Sequence, residues 1–579
     1  MLKRTISAVL ALLLAFALCS PALAEKANRS FEGGVFRLSD ADDFAMGELE
    51  GLVVDETVGD GALVLADGAA TGVFTSDVIG VEPFEYLVAS WNADMPSGAE
   101  LEVYARAYVD AKNAWSDWMS WGVWKDSVKR GSADDEDDLA YLDVDTFTVK
   151  GSAGETASLV QMKAELRASA AGESPVLRLL AATYKNTLEG QAIAPRYQGE
   201  EVALPERVQL DTPAYSQQIR DRSMAGVMCS AVTVCTLLND RGENAIPEQV
   251  ALMDYDCNYD GFGNWSYSVA AAGAFGYEAW CQYADLDVLR QELAHGRSVG
   301  VSVRYSDSPS GSYPYLEGAP ISGTAGHLIT ITGYETVDGV DYFFSSDSAA
   351  GRDEQCFRRY RADQLANAWV GRLAYIVRDK EAEPAFAPGR IQAALEPVAG
   401  AENAYMLMVD GVEVKLARAF YSARLKSDGN GILAYYIEGD GNRPAIPEGA
   451  KRTAANEYFR YTLSVNEDGS LRILPAQALS GFDGAEAVLR VFVIANDGTT
   501  YEAPLTLANP SYTPEPTAAP TPEPAAGATP EAAPEATAEP ASAEPAPANG
   551  GMVWIIVAVA AVVLMAVVIV LARKRAARK

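Results

Sequence analysis

The sequence is short of basic residues and of histidine. Its 579 residues include 46 Lys or Arg against 79 Asp or Glu, which gives a formal net charge of -33. Because nucleic-acid binding needs a basic surface that displaces counterions, no nucleic-acid partner is expected. Histidine occurs only twice, at His295 and His327, so any chemistry that needs an imidazole base must use one of these two.

Cysteine is scarce as well, with six residues in the whole chain. One is Cys19, in an apolar segment near the N-terminus. The other five lie between residues 208 and 380, where both histidines also lie: Cys229, Cys235, Cys257, Cys281 and Cys356. Five is an odd number, so outside the cell at least one thiol stays free or pairs with another chain, and the partners of the other four stay open.

The N-terminal residues have the layout of a secretory signal peptide. A basic start is followed by an apolar run over residues 6–18 and by Ala22-Leu23-Ala24, which predicts cleavage after Ala24. A lipid anchor on Cys19 is the alternative, and the bulky Leu18 before it is unfavourable for that processing.

A second apolar segment, Met552–Ala572, is long enough for the ~20 residues that span a bilayer as a helix. The basic tail 573–579 follows it and is expected to stay in the cytoplasm. These features predict a single-pass protein of the cell membrane with its N-terminal ectodomain outside, as on a bacterial cell surface.

The composition between these segments predicts three folded modules and a spacer. Residues 511–550 contain ten Pro and six Glu among Ala and Thr, which favours an extended linker without a core. The predicted partition is signal peptide 1–24, β-sandwich 25–200, α+β domain 201–382, β-sandwich 383–510, linker 511–550, transmembrane helix 551–572 and cytoplasmic tail 573–579.

Both flanking modules have strand patterns. Residues 101–109 alternate apolar and polar side chains, as a half-buried strand does, and residues 487–494 are β-branched and aromatic. The first module holds a tryptophan cluster that could line a glycan site or belong to the core: Trp91, Trp115, Trp118, Trp121 and Trp124. Its acidic run 134–138 is expected to be a solvated loop, with calcium binding as the alternative. The second β-module is expected to serve as a stalk or a binding module.

The central segment offers Cys229 as a nucleophile. A loop precedes it, and Ser230 to Leu238 is an apolar run without Gly or Pro, which predicts a buried helix with Cys229 in its first turn. Unpaired backbone N–H groups and the helix dipole at that position favour the reactive thiolate. Cys235, inside the same helix, lacks this advantage.

The two histidines have different settings. His295 ends a helical pattern and is followed by Gly296, which indicates a structural role at a helix C-terminus. His327 follows a loop of small residues and opens an alternating strand, which suits an exposed general base.

The sequence after His327 predicts a β-hairpin. Asp338-Gly339 forms the turn, and the returning strand ends at Asp347, so His327 and Asp347 are expected at the same end. Asp347 can then orient the imidazole, as the third group of a nucleophile, base and orienter set.

At these residues the segment resembles the free-standing relatives of the double-glycine-leader (bacteriocin-processing) cysteine peptidases. The matching motifs are Tyr215-Ser216-Gln217, Met228-Cys229-Ser230, Gly261-Phe262-Gly263-Asn264-Trp265, Ala325-Gly326-His327-Leu328 and Ser346-Asp347-Ser348-Ala349-Ala350. Tyr360 and Trp369 also match the family's pattern. Through its tryptophan cluster, the first module resembles the β-module that often precedes this domain.

The resemblance implies a papain-like fold in which Cys229 attacks a peptide carbonyl, His327 acts as base and Asp347 as orienter. Gln217 is implied as the side-chain donor of the oxyanion hole, together with the N–H of Cys229, and Gln218 is the competing candidate. Ser346-Asp347-Ser348 stands where the family usually has Asn-Asp-Pro. No nucleotide-binding Gly-x4-Gly-Lys-Ser/Thr motif occurs, so the transporter-fused form is excluded.

One motif resembles part of a metal loop. Residues 256–261 fit the first half of a calcium loop, but Tyr267 stands where a bidentate Glu is needed, so a polar turn is expected and no metal or cofactor is predicted. The predicted function is hydrolysis of a peptide or protein substrate by an extracellular cysteine peptidase. The alternatives are an inactive papain-like surface protein that binds a glycan or protein ligand, and a cell-wall peptide hydrolase.

Overall fold

The computed structural model describes residues 26–151, 154–220, 224–386, 391–417, 432–437, 463–473, 485–508 and 512–513. The predicted signal peptide, nearly all of the linker, the predicted transmembrane helix 551–572 and the basic tail lie outside these residues. Among the described helices, none has the length and apolar character needed to cross a bilayer.

The N-terminal part is a β-sandwich, with one short helix that the sequence analysis did not predict, α1 (Ala41–Ala45). Its strands are β1 (Arg29–Ser30), β2 (Val35–Leu38), β3 (Glu48–Glu50), β4 (Leu52–Asp55), β5 (Ala62–Leu65), β6 (Thr71–Thr75), β7 (Ile79–Phe84), β8 (Tyr86–Asp94), β9 (Glu100–Val109), β10 (Ala114–Trp115), β11 (Met119–Trp124), β12 (Asp135–Glu136), β13 (Ala140–Asp143), β14 (Thr146–Val149), β15 (Ala157–Arg167) and β16 (Val176–Lys185). One sheet follows the order β1-β7-β15-β6-β3, with β9 joined to β15 and to β10 and β11. The other follows β12-β13-β14-β8-β16-β5-β4, with β2 joined to β16.

The alternation predicted for residues 101–109 is confirmed, because every second side chain of β9 is buried. The tryptophan cluster divides between the core and the surface. Trp91, Trp121 and Trp124 are buried, so they belong to the core. Trp115 and Trp118 are partly exposed and hold the guanidinium of Arg106 between them, with 4.9 and 4.7 Å from its carbon to the two ring centres. One face of each ring is thus covered by a cation of the same chain.

The central part combines one antiparallel sheet with five helices. Its strands are β17 (Arg207–Gln209), β18 (Tyr277–Tyr283), β19 (Val299–Ser306), β20 (Gly323–Val337), β21 (Val340–Ser346), β22 (Phe357–Arg361) and β23 (Leu373–Lys380). Its helices are α2 (Cys229–Asp240), α3 (Pro247–Asp254), α4 (Trp265–Gly273), α5 (Leu286–Ala294) and α6 (Ala362–Ala368), with 3₁₀ turns at Gln217–Ile219 and Asp353–Gln355. The sheet order is β18-β23-β19-β20-β21-β22, and β17 pairs with β20.

Helix α4 contacts both β8 of the sandwich and β18 of the central sheet, and the sandwich, α2, α4 and β18 contribute residues to one hydrophobic core. Trp91 and Trp124 of the sandwich pack edge-to-face on Tyr267 of α4, with ring centres 6.0 and 5.3 Å apart. Such aromatic pairs add to the free energy of apolar burial. The two parts are therefore joined through a packed interior.

Hydrogen bonds from the sandwich also fix α4. The carboxylate of Asp145 accepts the backbone N–H of Trp265, the first residue of α4, at 2.7 Å. The hydroxyl of Ser266 donates to the carbonyl of Ala89 at 2.7 Å. The sandwich thus supplies part of the N-terminal capping of a helix in the central part.

The C-terminal part contains two further sheets in the described residues. Its strands are β24 (Ile391–Gln392), β25 (Ala394–Pro397), β26 (Ala404–Val409), β27 (Val412–Val414), β28 (Ile432–Ile437), β29 (Leu463–Val465), β30 (Leu471–Ile473), β31 (Glu486–Ile494) and β32 (Thr500–Ala508). The sheet orders are β24-β32-β31-β28 and β25-β26-β30-β29, with β27 joined to β26. A separate apolar core lies between them.

Candidate active site

Cys229 begins helix α2, as the sequence predicted. The side chain of Met228, the N-cap residue, makes no capping hydrogen bond, and the residues from Ser230 to Leu238 are buried. An uncapped first turn leaves backbone N–H groups directed at the cysteine sulfur, which can satisfy them. The backbone N–H groups of Ser230 and Leu328 help to lower the pKa of the Cys229 thiol, which burial alone would raise.

His327 lies on β20 opposite Val303 of β19, next to an irregularity in the pairing of the two strands. The strand begins at Gly323, four residues before the predicted start. The ring is buried, and its Nε2 lies 2.7 Å from Oδ1 of Asp347. The other edge of the imidazole is therefore the one that makes the hydrogen bond with Cys229.

Asp347 follows β21 directly, and the hairpin predicted for this region is confirmed. Asp338 and Gly339 form a two-residue turn with φ of 52° and 77°, and Ser346 pairs with Thr330. This register brings Asp347 to the end of the hairpin that carries His327. Among the predicted site residues, Cys229, His327 and Asp347 thus form one hydrogen-bonded series.

The three groups shift one another's pKa values. Burial opposes ionisation of the Cys229 thiol, but the hydrogen bond and the charge of His327 outweigh it and lower the thiol's pKa. Burial alone would lower the pKa of His327, yet the charge of Asp347 and its hydrogen bond raise it to about 10. Burial would raise the pKa of Asp347, and the charge of His327 keeps it below the ordinary value. The arrangement favours a thiolate beside an imidazolium.

Gln217 is also fixed at this site. It is buried in the 3₁₀ turn, and its Nε2 donates to the carbonyl of Ala225 at 2.9 Å. Its Oε1 accepts the hydroxyl of Ser348 at 2.8 Å, and Ser348 follows Asp347 in the chain. The competing residue Gln218 is exposed.

His295 lies away from this series, at the C-terminus of α5. Its Nδ1 is 2.8 Å from the carbonyl oxygen of Gln291, and its ring stacks on Tyr197 with 5.3 Å between the ring centres. This is the helix-end position that the sequence indicated for it.

The remaining cysteines form no disulfide among the described residues. Cys235, Cys281 and Cys356 are buried, whereas Cys257 is partly exposed, like Cys229. Burial and the neighbouring Asp256 raise the pKa of the Cys257 thiol, which is opposite to the shift at Cys229. Of the two partly exposed thiols in the described residues, only Cys229 has its pKa lowered.

The possible calcium half-loop is a tight polar turn. The buried carboxylate of Asp256 accepts the backbone N–H groups of Ser132, Asn258 and Tyr259 at 3.0–3.1 Å and the side-chain amide of Asn264 at 2.9 Å. The described residues contain no cluster of side chains suited to a metal ion. The carboxylate of Asp256 thus joins this turn to the sandwich.

Family models match the two parts that share the core. Residues 209–374 match the Peptidase_C39 like family, and residues 35–184 match the Peptidase C39 N-terminal domain. The chain is a relative of the C39-type papain-like cysteine peptidases. The first match includes Cys229, His327 and Asp347, and it indicates a cysteine-peptidase-type function with a peptide or protein substrate. The fold is multidomain, β-rich and papain-like.

Solved structures of papain-like peptidases also align with parts of this chain. Digestive procathepsin L 3 of Tenebrio molitor larval midgut is 14% identical, with 32% of this chain and 73% of that chain covered and a TM-score of 0.22. ProCathepsin B S9 from Trypanosoma congolense is 12% identical, with 32% and 82% covered and a TM-score of 0.23. No curated protein matches the chain significantly.

Several residues around Asp347 and Gln217 were not singled out for a role from the sequence. Tyr305 and Tyr360 donate their hydroxyls to Oδ2 of Asp347 at 3.1 and 3.2 Å. Tyr360 matches the family's sequence pattern, but that match does not indicate its contact with Asp347. Arg220, directly after the turn that holds Gln217, forms a buried ion pair with Glu248 of α3. These contacts join residues far apart in sequence, so no local pattern indicates them.

Proposed function

We propose that this protein is a cysteine peptidase in which Cys229 is the nucleophile, His327 the general acid and base, and Asp347 the group that orients His327. The observation that supports this most directly is the hydrogen-bonded series from the Cys229 sulfur through the His327 ring to Asp347. A thiolate at a helix N-terminus beside an imidazolium is the reactive form of a cysteine nucleophile.

In the proposed reaction the Cys229 thiolate attacks the carbonyl carbon of the scissile peptide bond. The carbonyl oxygen takes the negative charge and is bound by the backbone N–H of Cys229 and by Nε2 of Gln217. Nε2 carries two hydrogens, and one of them is donated to Ala225. The second is assigned to the oxyanion, where such a donor contributes ~10²–10³ in rate.

His327 then transfers its proton to the leaving amine, and the carbon–nitrogen bond breaks to leave a thioester on Cys229. The neutral imidazole next takes a proton from a water molecule, which attacks the thioester. The carboxylic acid product departs, and the proton on His327 restores the ion pair with the Cys229 thiolate. Both roles of His327 require a fixed ring, and the bond from Nε2 to Asp347 fixes it.

The proposed location is the outer face of the cell membrane, with the predicted helix Met552–Ala572 as anchor. It is supported by the signal-peptide pattern, the apolar segment and the basic tail in the sequence. The proposed substrates are therefore peptides or proteins outside the cell.

The test is the rate at which a soluble thiol electrophile modifies each cysteine of the folded full chain as a function of pH. Cys229 should react fastest, and its rate should persist well below the ~8.5 pKa of an ordinary thiol. Cys257 is the matched control, because it is also partly exposed and has no imidazole partner. The His327→Ala variant should lose the reactivity at low pH. If Cys229 reacts no faster than Cys257, the protein is better described as an inactive binding scaffold.

A further inference from the structure

The carboxylate of Asp347 accepts hydrogen bonds at both oxygens. Oδ1 binds Nε2 of His327 at 2.7 Å and the backbone N–H of Ala349 at 3.0 Å. Oδ2 binds the hydroxyls of Tyr305 and Tyr360 at 3.1 and 3.2 Å. The side chain is fully buried, so these donors take the place of water around the charge.

The two tyrosines come from opposite sides of the hairpin that carries His327 and Asp347. Tyr305 lies on β19, which pairs with β20, and Tyr360 lies on β22, which pairs with β21. Both tyrosines are at most 1% exposed to solvent, so their hydroxyls have little freedom to move away from Asp347. The ring of Tyr305 also packs edge-to-face on His327, with 6.2 Å between ring centres.

A buried carboxylic acid without such donors takes up a proton, because burial disfavours the charged form. Neutral Asp347 would give the imidazolium of His327 no counter-charge. The proton of His327 would then return to Cys229, and the reactive thiolate would be lost. Donors to Oδ2 therefore affect the sulfur through two intervening groups.

We propose that Tyr305 and Tyr360 are positioning residues that keep Asp347 ionised with Oδ1 directed at His327, and that they thereby set the acid limit of Cys229 reactivity. This inference rests on the proposed function. Consistent with it, burial alone would raise the pKa of Asp347, while His327, the N–H of Ala349 and the hydroxyl of Tyr305 together lower it.

The tyrosine substitutions leave the other titratable groups of this region unchanged. The Cys229 charge acts on Tyr305, and the guanidinium of Arg358 on β22 acts on Tyr360. Asp353, in the 3₁₀ turn after β21, accepts the backbone N–H of Ser216 at 2.6 Å. Replacing the tyrosine hydroxyls leaves all three in place.

The experiment compares the full chain with Tyr305→Phe, Tyr360→Phe and the double variant. Tyr255→Phe is the matched control, since the Tyr255 hydroxyl donates to the carboxylate of Asp260 at 2.9 Å, away from Asp347. The first measurement is the pH dependence of Cys229 alkylation. The second is the titration of the Asp347 carboxylate by ¹³C NMR in a Cys229→Ala background, with Asp347→Asn to assign the resonance.

In the double variant the pH midpoint at which Cys229 alkylation falls off in acid should rise by roughly one pH unit. The titration midpoint of the Asp347 carboxylate should rise with it. Each single variant should give part of the shift and the control none. Well above the midpoint the double variant should react as fast as the unmodified chain, which a general packing defect would not allow. Superimposable profiles and an unchanged Asp347 titration would overturn the proposal. If Cys229 is unreactive even in the unmodified chain, the proposed function fails, and the Asp347 titration still decides the role of the tyrosines.

Discussion

The capping of α4 by the sandwich predicts a specific pH dependence of stability. Asp145 is buried, and its carboxylate accepts the backbone N–H of Trp265 and the hydroxyl of Thr146 at 2.7 and 2.9 Å. Burial, the largest influence, raises the pKa of Asp145 to about 7, although these hydrogen bonds oppose it. In the unfolded chain its pKa should be near ~3.9.

This group stabilises the fold fully below about pH 4, and between about pH 4 and pH 7 the folded state holds a proton that the unfolded chain has already released. That contribution is lost as the pH rises through about 7. The folded and unfolded pKa values of Asp145 differ by about three, which corresponds to at most about 4 kcal/mol in the free energy of unfolding. Water that enters the interface would reduce this change to on the order of 2–4 kcal/mol. An Asp145→Asn substitution keeps an oxygen acceptor for Trp265 but cannot ionise.

The assay is urea unfolding of the full chain and of the Asp145→Asn variant from pH 4 to pH 8, followed by tryptophan fluorescence. Trp121 is a local reporter, since its indole N–H donates to the carbonyl of Asp145 at 2.9 Å. The variant should gain stability relative to the unmodified chain as the pH rises. Asp363→Asn is the control, because the exposed Asp363 pairs with Arg361 and its pKa is lowered. A stability difference for Asp145→Asn that stays constant across this range would refute the reasoning.

The remaining predictions concern the site and the membrane. His327→Ala should abolish peptide hydrolysis, whereas His295→Ala should cost only the ~0.3–1 kcal/mol of a helix-end charge, as measured by turnover and by denaturant unfolding. Gln217→Ala should lower kcat by ~10²–10³, while Gln218→Ala should leave it nearly unchanged; equal losses would contradict the oxyanion assignment. Protease added to intact cells should release a fragment cut within residues 511–549, and an ectodomain that is reached only after lysis would contradict the proposed orientation.

Local patterns were sufficient for the elements that carry the site. The apolar run after Cys229 predicted α2, and the Asp338-Gly339 turn predicted the hairpin that places Asp347 near His327. Both features depend on residues close together in sequence, since helix starts and two-residue turns have local signatures.

The contacts that complete the site could not be predicted in this way. Tyr305 and Tyr360 converge on Asp347 only because β19 and β22 flank the hairpin in the sheet order. The choice between Gln217 and Gln218 depends on which face of a 3₁₀ turn is buried. Sequence periodicity indicates neither the strand order nor the packing of such a turn.

The shared core between the sandwich and the central helices was also missed. The sequence pattern of the first module's tryptophans fits either a glycan site or a core of that module, whereas Trp91 and Trp124 pack on Tyr267 of α4. An aromatic side chain that covers another module has the same sequence pattern as one that covers its own core. Only the packing between modules distinguishes the two cases.

The most direct test of the central claim is cleavage of a peptide library by the full chain, with Cys229→Ala as the matched variant and mass spectrometry of products and protein. The account predicts defined cleavage products and a transient acyl adduct on Cys229, and it predicts that the variant yields neither. Products that persist in the variant, or a chain whose Cys229 is alkylated at low pH but which cleaves no peptide, would contradict it.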